Sequence, residues 1–217
     1  MSFAIPNGSH TASSTRIKTH SFGAALENAF NITTKKIKDA VTSPISQGIV
    51  GFGLGLGVHR IYGPLTEKIV KALGISTIFS DPFSSLGLGH KILLMPLICI
   101  LGPIIEEKIF RGCLQETLND KLASFYVNRG FSASTAHTAA RVTAVFFASV
   151  IFGFIHFTNA IAFWCNPILF LPQVVAATLM GLVFGLAKEF SGELHMPIGM
   201  HIGNNTLAWA QNIKAFL

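Results

Sequence analysis

Apolar residues run along this chain in long blocks rather than in alternation. No Asp, Glu, Lys or Arg occurs from Val142 to Ala187, which leaves room for two membrane spans of roughly 20 residues each. Ala40 to His59 and Leu194 to Ile213 are two further uncharged stretches. Blocks of this kind predict helices, which satisfy their own backbone groups in lipid. The expected fold class is all-α: a polytopic transmembrane helical bundle with about six hydrophobic segments. No repeat-protein period is present, and no strand pattern supports β-structure.

Read in order, the chain divides into residues 1–43, 44–90 and 91–217. Met1 to His20 is Ser/Thr-rich and unpatterned, a tail. Phe22, Leu26, Phe30, Ile37 and Val41 recur at helical spacing with Lys35, Lys36 and Lys38 among them. That fits an amphipathic helix on the membrane surface, and an ordinary solvated linker helix fits equally well.

The first span, Ile45 to Arg60, contains GFGLGLG. This is not GxGxxG and lacks a strand–turn–helix context, which argues against a nucleotide site. Gly51/Gly55 and Gly53/Gly57 are four apart and would let a neighbouring helix approach closely. Ile69 to Phe79 is short for a span and reads as re-entrant or interfacial. Asp81-Pro82, Gly87 and Gly89 mark a turn. A helix from about Lys91 then passes Pro96 and Pro103 into Glu106, with charged and polar residues continuing to Arg129. Thr135 to Phe157 reads as the next helix. NPILFLP opens another that ends near Glu189, Gly192 breaks the chain, and Pro197 opens a last helix to about Phe216.

Composition agrees with the pattern. Half of the 217 residues are hydrophobic and only 12% are charged, against about a quarter in soluble domains, and the mean hydropathy is +0.54. The net charge of +6 does not point to nucleic acid. Arg16, Lys18, Lys35, Lys36 and Lys38 all precede the first span, the pattern of a cytoplasmic N-terminus and of attraction to anionic lipid headgroups. No signal peptide is visible, so an uncleaved first span is expected to insert the chain. Cys99, Cys113 and Cys165 form no CxxC and read as small apolar fillers.

Against this background a few ionisable or polar residues stand inside apolar helices: Glu106, Glu107, Arg111, His156 and His201, with Asn205 one turn after His201. Such groups are costly at membrane depth and mark function by default. Glu107 and Arg111 are four apart, suited to an ion pair along one helix. Glu106 is then turned about 100° away and free to face something else. Pro103 removes an amide donor and loosens the helix beside the carboxylates. His156 follows Phe152 by one turn. His201 and Asn205 share a face, and Gly199 and Gly203 would bring another helix close to the side carrying His201.

The remaining histidines, His59, His90, His137 and His195 near helix ends and His10 and His20 in the tail, have no partner that the pattern identifies. A pairing of Cys165 with His156 is poor across a turn. HExxH and GxSxG are absent, against ordinary zincins and serine hydrolases.

GPIIEEKIFRG resembles the EExxxR motif of the CAAX-protease and bacteriocin-processing (CPBP, or ABI) intramembrane proteases. FGFIH, Phe152 to His156, resembles that family's FxxxH motif, and HIGNN, His201 to Asn205, its HxxxN motif. All three occur in order on apolar helices, within a stretch from Pro103 to about Trp209. Residues before about 85 carry no marker. The resemblance implies a helical bundle around a polar chamber, with residues 91–217 as the protease core. It also implies a proteolytic site of Glu106, Glu107, Arg111, His156, His201 and Asn205.

Peptide hydrolysis needs an activated water and stabilisation of an oxyanion. Glu106 suits the general base, His156 would orient the water, His201 and Asn205 would donate to the oxyanion, and Glu107 with Arg111 would keep Glu106 in register. The cofactor is either none or Zn²⁺, with His156, His201 and Glu107 as the candidate ligands. Expected partners are membrane lipids and a membrane-associated or lipidated protein substrate, with no nucleic acid. A non-proteolytic scaffold or immunity factor of the same fold is the alternative, and a small transporter is disfavoured by the lack of matching halves.

Overall fold

The computed structural model describes residues 43–74, 86–159 and 166–214, with the isolated positions 28, 32 and 35. The expected tail, most of the expected surface helix, the Asp81-Pro82 turn, the end of the Ile69–Phe79 segment, and Cys165 lie outside the described residues. Within them the chain is all-helical. Helix α1 is Pro44–Ala72, α2 Leu88–Asn128, α3 Ala133–Ile155, α4 Leu171–Ser191 and α5 His195–Lys214, with a 3-10 turn, Pro167–Phe170, leading into α4.

Local chemistry sets the helix ends. Ser43 caps α1 in a reciprocal box with Ser46, each side chain answering the other residue's backbone amide, which satisfies two otherwise orphaned donors. Ser132 caps α3 through the amide of Thr135. Gly192 ends α4 at φ +77°, a left-handed turn that suits glycine. The first helix does not stop at Arg60 as expected but continues to Ala72. Arg60 and Pro64 are exposed, so the charge stays outside the packing, and Pro64 removes only its own amide from the ladder.

Among the described residues three helices, rather than about six, are long and apolar enough to cross a membrane: α2, α3 and α4. The uncharged block from Val142 to Ala187 therefore holds most of two spans, as its length predicts. The other two helices fall short for a compositional reason. Glycines and His59, Arg60 and Thr66 dilute α1, while α5 carries His195, His201, Asn204, Asn205 and Gln211.

These two polar-seamed helices form the most extensive pairing in the bundle. Gly51 and Gly55 lie against the backbone of Met196 and Met200, and Gly199 and Gly203 against Gly48 and Phe52. A Cβ at any of these four glycines would overlap the opposing carbonyl, so the two backbones meet at small-residue positions. Gly53 and Gly57, the other expected pair, face open space.

Helix α2 is continuous but not uniform. Leu97–Leu101 and Lys108–Leu114 are π-helical, flanking the α-helical turn Gly102–Glu107 that holds Pro103 and both glutamates. The loosening expected from Pro103 takes this form, since wider turns absorb a missing amide. Leu93, Leu97, Ile105 and Ile109 are more than half exposed along α2, whereas Glu107 and Arg111 on the same helix are wholly covered. Charge is inside and grease outside, the arrangement suited to lipid. Cys99 is buried as a filler, but Cys113 is exposed on the outer surface of α2.

Candidate active site

Three segments bring the polar residues together. Helix α2 supplies Glu106, Glu107 and Arg111, the end of α3 supplies His156, and α5 supplies His201 and Asn205. The expected i,i+4 pair is present: Arg111 Nη1 donates to Glu107 Oε1 at 3.1 Å, with both side chains fully buried. A buried guanidinium needs further partners. Arg111 finds them in the Gly181 carbonyl, 3.2 Å from Nη2, and in the face of Phe152, with its guanidinium carbon 4.4 Å from the ring centre.

One turn further on, Gln115 repeats the pattern. Its Nε2 donates to the Gly185 carbonyl and to Glu189 Oε1 at 2.8 Å. Glycine at 181 and 185 makes room: a Cβ at Gly185 would come within 2.9 Å of Gln115 Oε1, and one at Gly181 within 3.2 Å of Arg111 Nη2.

His201 stands between the two carboxylates. Its Nδ1 lies 2.8 Å from Glu107 Oε1 and its Nε2 lies 3.8 Å from Glu106 Oε2. The ring stacks on Phe184, centres 4.9 Å apart, and Phe152 meets it edge-on at 5.9 Å. An ionised carboxylate only accepts, so the Glu107 contact assigns a proton to Nδ1. In the neutral ring the lone pair is then at Nε2, facing Glu106. The two glutamates differ in access, since the Glu106 side chain is 38% exposed and that of Glu107 is not exposed at all.

His156 sits at the C-cap of α3. Its Nδ1 is 2.7 Å from the Phe152 carbonyl, a contact that again requires Nδ1–H and leaves Nε2 as an acceptor. Phe152 also meets the His156 ring edge-on at 4.9 Å, so one phenyl ring buttresses both imidazoles and the arginine.

Asn205 Nδ2 donates to the Ile98 carbonyl at 3.1 Å, and its Oδ1 accepts from Asn204 Nδ2 at 3.0 Å. In the π register of this turn the Gly102 amide reaches Leu97 O, five residues back. The amide that would serve Ile98 O in that register belongs to residue 103, a proline. Pro103 therefore leaves a carbonyl for Asn205 to take.

Glu106, Glu107, Arg111 and His201 are thus joined by direct contacts, His156 adjoins them through the Phe152 ring, and Asn205 is held one turn along α5 by Ile98 and Asn204. The expected zinc set does not assemble. Among the described residues no three His, Cys, Asp or Glu side chains stand close enough to hold an ion. Glu107 gives Oε1 to Arg111 and to the N–H of His201, so His201 and Glu107 face each other rather than a common centre, and the trio with His156 does not fit a metal.

Some members of the cluster escaped the sequence reading. Gln115 continues the Glu107–Arg111 stripe at four-residue spacing, a signal that could have found it. Phe184 gives no such sign. His59, without an expected partner, faces Asn204 Oδ1 at 2.9 Å across the α1–α5 seam.

A family model described as Rce1-like, type II CAAX prenyl endopeptidase Rce1-like, matches residues 88–207. That range is more than half of the chain and contains all six residues. No curated protein and no solved structure matches the chain.

Proposed function

The chain belongs to the Rce1-like family of type II CAAX prenyl endopeptidases, and from that premise we propose that it is an intramembrane protease in which Glu106 activates the hydrolytic water. The observation that carries the reading is the approach of Glu106 Oε2 to His201 Nε2 at 3.8 Å. That gap joins an accessible carboxylate and an imidazole lone pair, close enough for one water to contact both. His156, with Nδ1 held by a carbonyl, offers a second Nε2 acceptor, so the water gives one O–H to Glu106 and the other to one of the two imidazoles.

In the proposed sequence the water oxygen attacks the scissile carbonyl while Glu106 takes its proton. The carbonyl oxygen becomes an oxyanion and accepts from the second N–H of Asn205 Nδ2, the first being committed to Ile98 O. Removing such a donor typically slows turnover about a hundred- to a thousand-fold. The proton then passes to the leaving nitrogen as the C–N bond breaks. The neutral form of His201 cannot donate from Nε2, because its proton is on the Glu107 side. It donates only after taking up a second proton, and Glu107 stabilises the resulting imidazolium much as the carboxylate does in a Ser-His-Asp triad.

Lipid-facing apolar helices around a covered charge cluster suit a substrate that arrives within the membrane, and a lipidated protein tail is the proposed substrate class. The test is direct. The purified chain in detergent is given a farnesylated CAAX-ending peptide and its unfarnesylated twin, and release of the terminal tripeptide is followed by mass spectrometry. Cleavage that prefers the farnesylated peptide supports the proposal. A chain that acts only by binding would leave both peptides uncut.

A further inference from the structure

The polar side chains between α1 and α5 form a directed line that ends at Asn205. Its direction follows from one fixed acceptor. Asn205 Nδ2 faces the Ile98 carbonyl at 3.1 Å, so the Asn205 oxygen points the other way, to Asn204. Asn204 must offer its nitrogen there, at 3.0 Å, which turns its own oxygen toward α1. Facing that oxygen at 2.9 Å is His59 Nδ1, which can only donate.

Two further side chains, Tyr62 and Gln211, touch the His59 ring. Tyr62 meets the ring edge-on, centres 5.3 Å apart, with its hydroxyl 3.2 Å from Nδ1. Gln211 Oε1 lies 3.1 Å from Nε2 and the side chain is exposed, so the Nδ1–H tautomer requires that amide to turn and present its nitrogen to the Nε2 lone pair. Asn204 is buried, and a buried amide is costly unless its groups are answered.

We propose that His59 is a positioning residue: acting through Asn204, it fixes the orientation of the Asn205 amide and so aims the N–H that serves the oxyanion. The inference rests on the reading of Asn205 as that donor. Tying α1 to α5 does not require this line, because the glycine contacts at positions 51, 55, 199 and 203 already join the two backbones. Helix α1 also lies outside the family match at residues 88–207, so this contribution comes from a part of the chain that the family motifs do not describe.

Two measurements on the full chain in detergent test it. In protein labelled with ¹⁵N-histidine, His59 is expected as the Nδ1–H tautomer at neutral pH. In Asn205→Ala, where Asn204 can turn over, both tautomers should appear. A wild-type His59 carrying its proton on Nε2, or one indifferent to Asn205→Ala, overturns the proposal.

On the farnesylated peptide, His59→Ala and Asn204→Ala should each lower kcat roughly ten- to a hundred-fold, the range for losing an orienting partner, with KM within about twofold. The double variant should be no slower than the worse single one, and His59→Gln, which restores a donor, should recover part of the loss. Additive effects, or an unchanged kcat in His59→Ala while Glu106→Gln is inactive, sink this inference and leave the protease reading standing. If the wild-type chain leaves the peptide uncut, the protease reading falls instead, and the tautomer response alone decides whether His59 orients Asn205.

Discussion

His201 Nδ1 lies 2.8 Å from Glu107 Oε1, joining two residues 94 positions apart in the sequence. The contact gives Glu107 a second task beside its ion pair. It neutralises a buried arginine on its own helix and fixes the tautomer of an imidazole on another.

Glu107 should therefore be the most stability-sensitive of the carboxylates. Glu107→Ala strands Arg111, which is fully buried, and breaking such a pair typically costs about 3–5 kcal/mol. Glu106→Ala, on a partly exposed side chain, should cost far less. Thermal unfolding of both variants in detergent checks the ordering, and equal midpoints would show that the buried pair is not what holds this part of the bundle.

Gln115→Leu should also destabilise the chain. It removes donors to the Gly185 carbonyl and to Glu189, each such bond contributing about 0.5–1.5 kcal/mol. The expected readout is a lower denaturation midpoint with KM on the farnesylated peptide unchanged.

The α1–α5 seam makes a paired prediction. Gly55→Val drives a side chain into the Met200 carbonyl, whereas Gly53→Val enters open space. Overpacking of this kind costs about 1–3 kcal/mol. The first variant should unfold earlier than the parent and the second should not, in parallel thermal scans.

Several of these features were legible in the sequence, and the reason is distance along the chain. The Glu107–Arg111 pair, the break after α4 and the helices α3 and α4 are local patterns, set by four-residue spacing, by Gly192 and by missing charge. The extent of α1 was not legible, because Arg60 and Pro64 are stop signals that exposure renders harmless. Gly51/Gly55 and Gly53/Gly57 look alike as strings. Two positions apart on a helix they point roughly 200° apart, so only one pair can face α5, and only packing decides which. His59 looked partnerless because its partner stands 145 residues away. Among the described residues α1 and α5 fall short of a spanning composition because their uncharged stretches are rich in glycine, histidine and asparagine, which an absence of charge alone does not register.

The most direct measurement is turnover by Glu106→Gln, an isosteric change that removes the base while keeping the shape of the site. The account predicts a folded protein with the parent's unfolding midpoint whose kcat on the farnesylated peptide falls by at least about a hundred-fold. A Glu106→Gln variant that cleaves at the parental rate would contradict it.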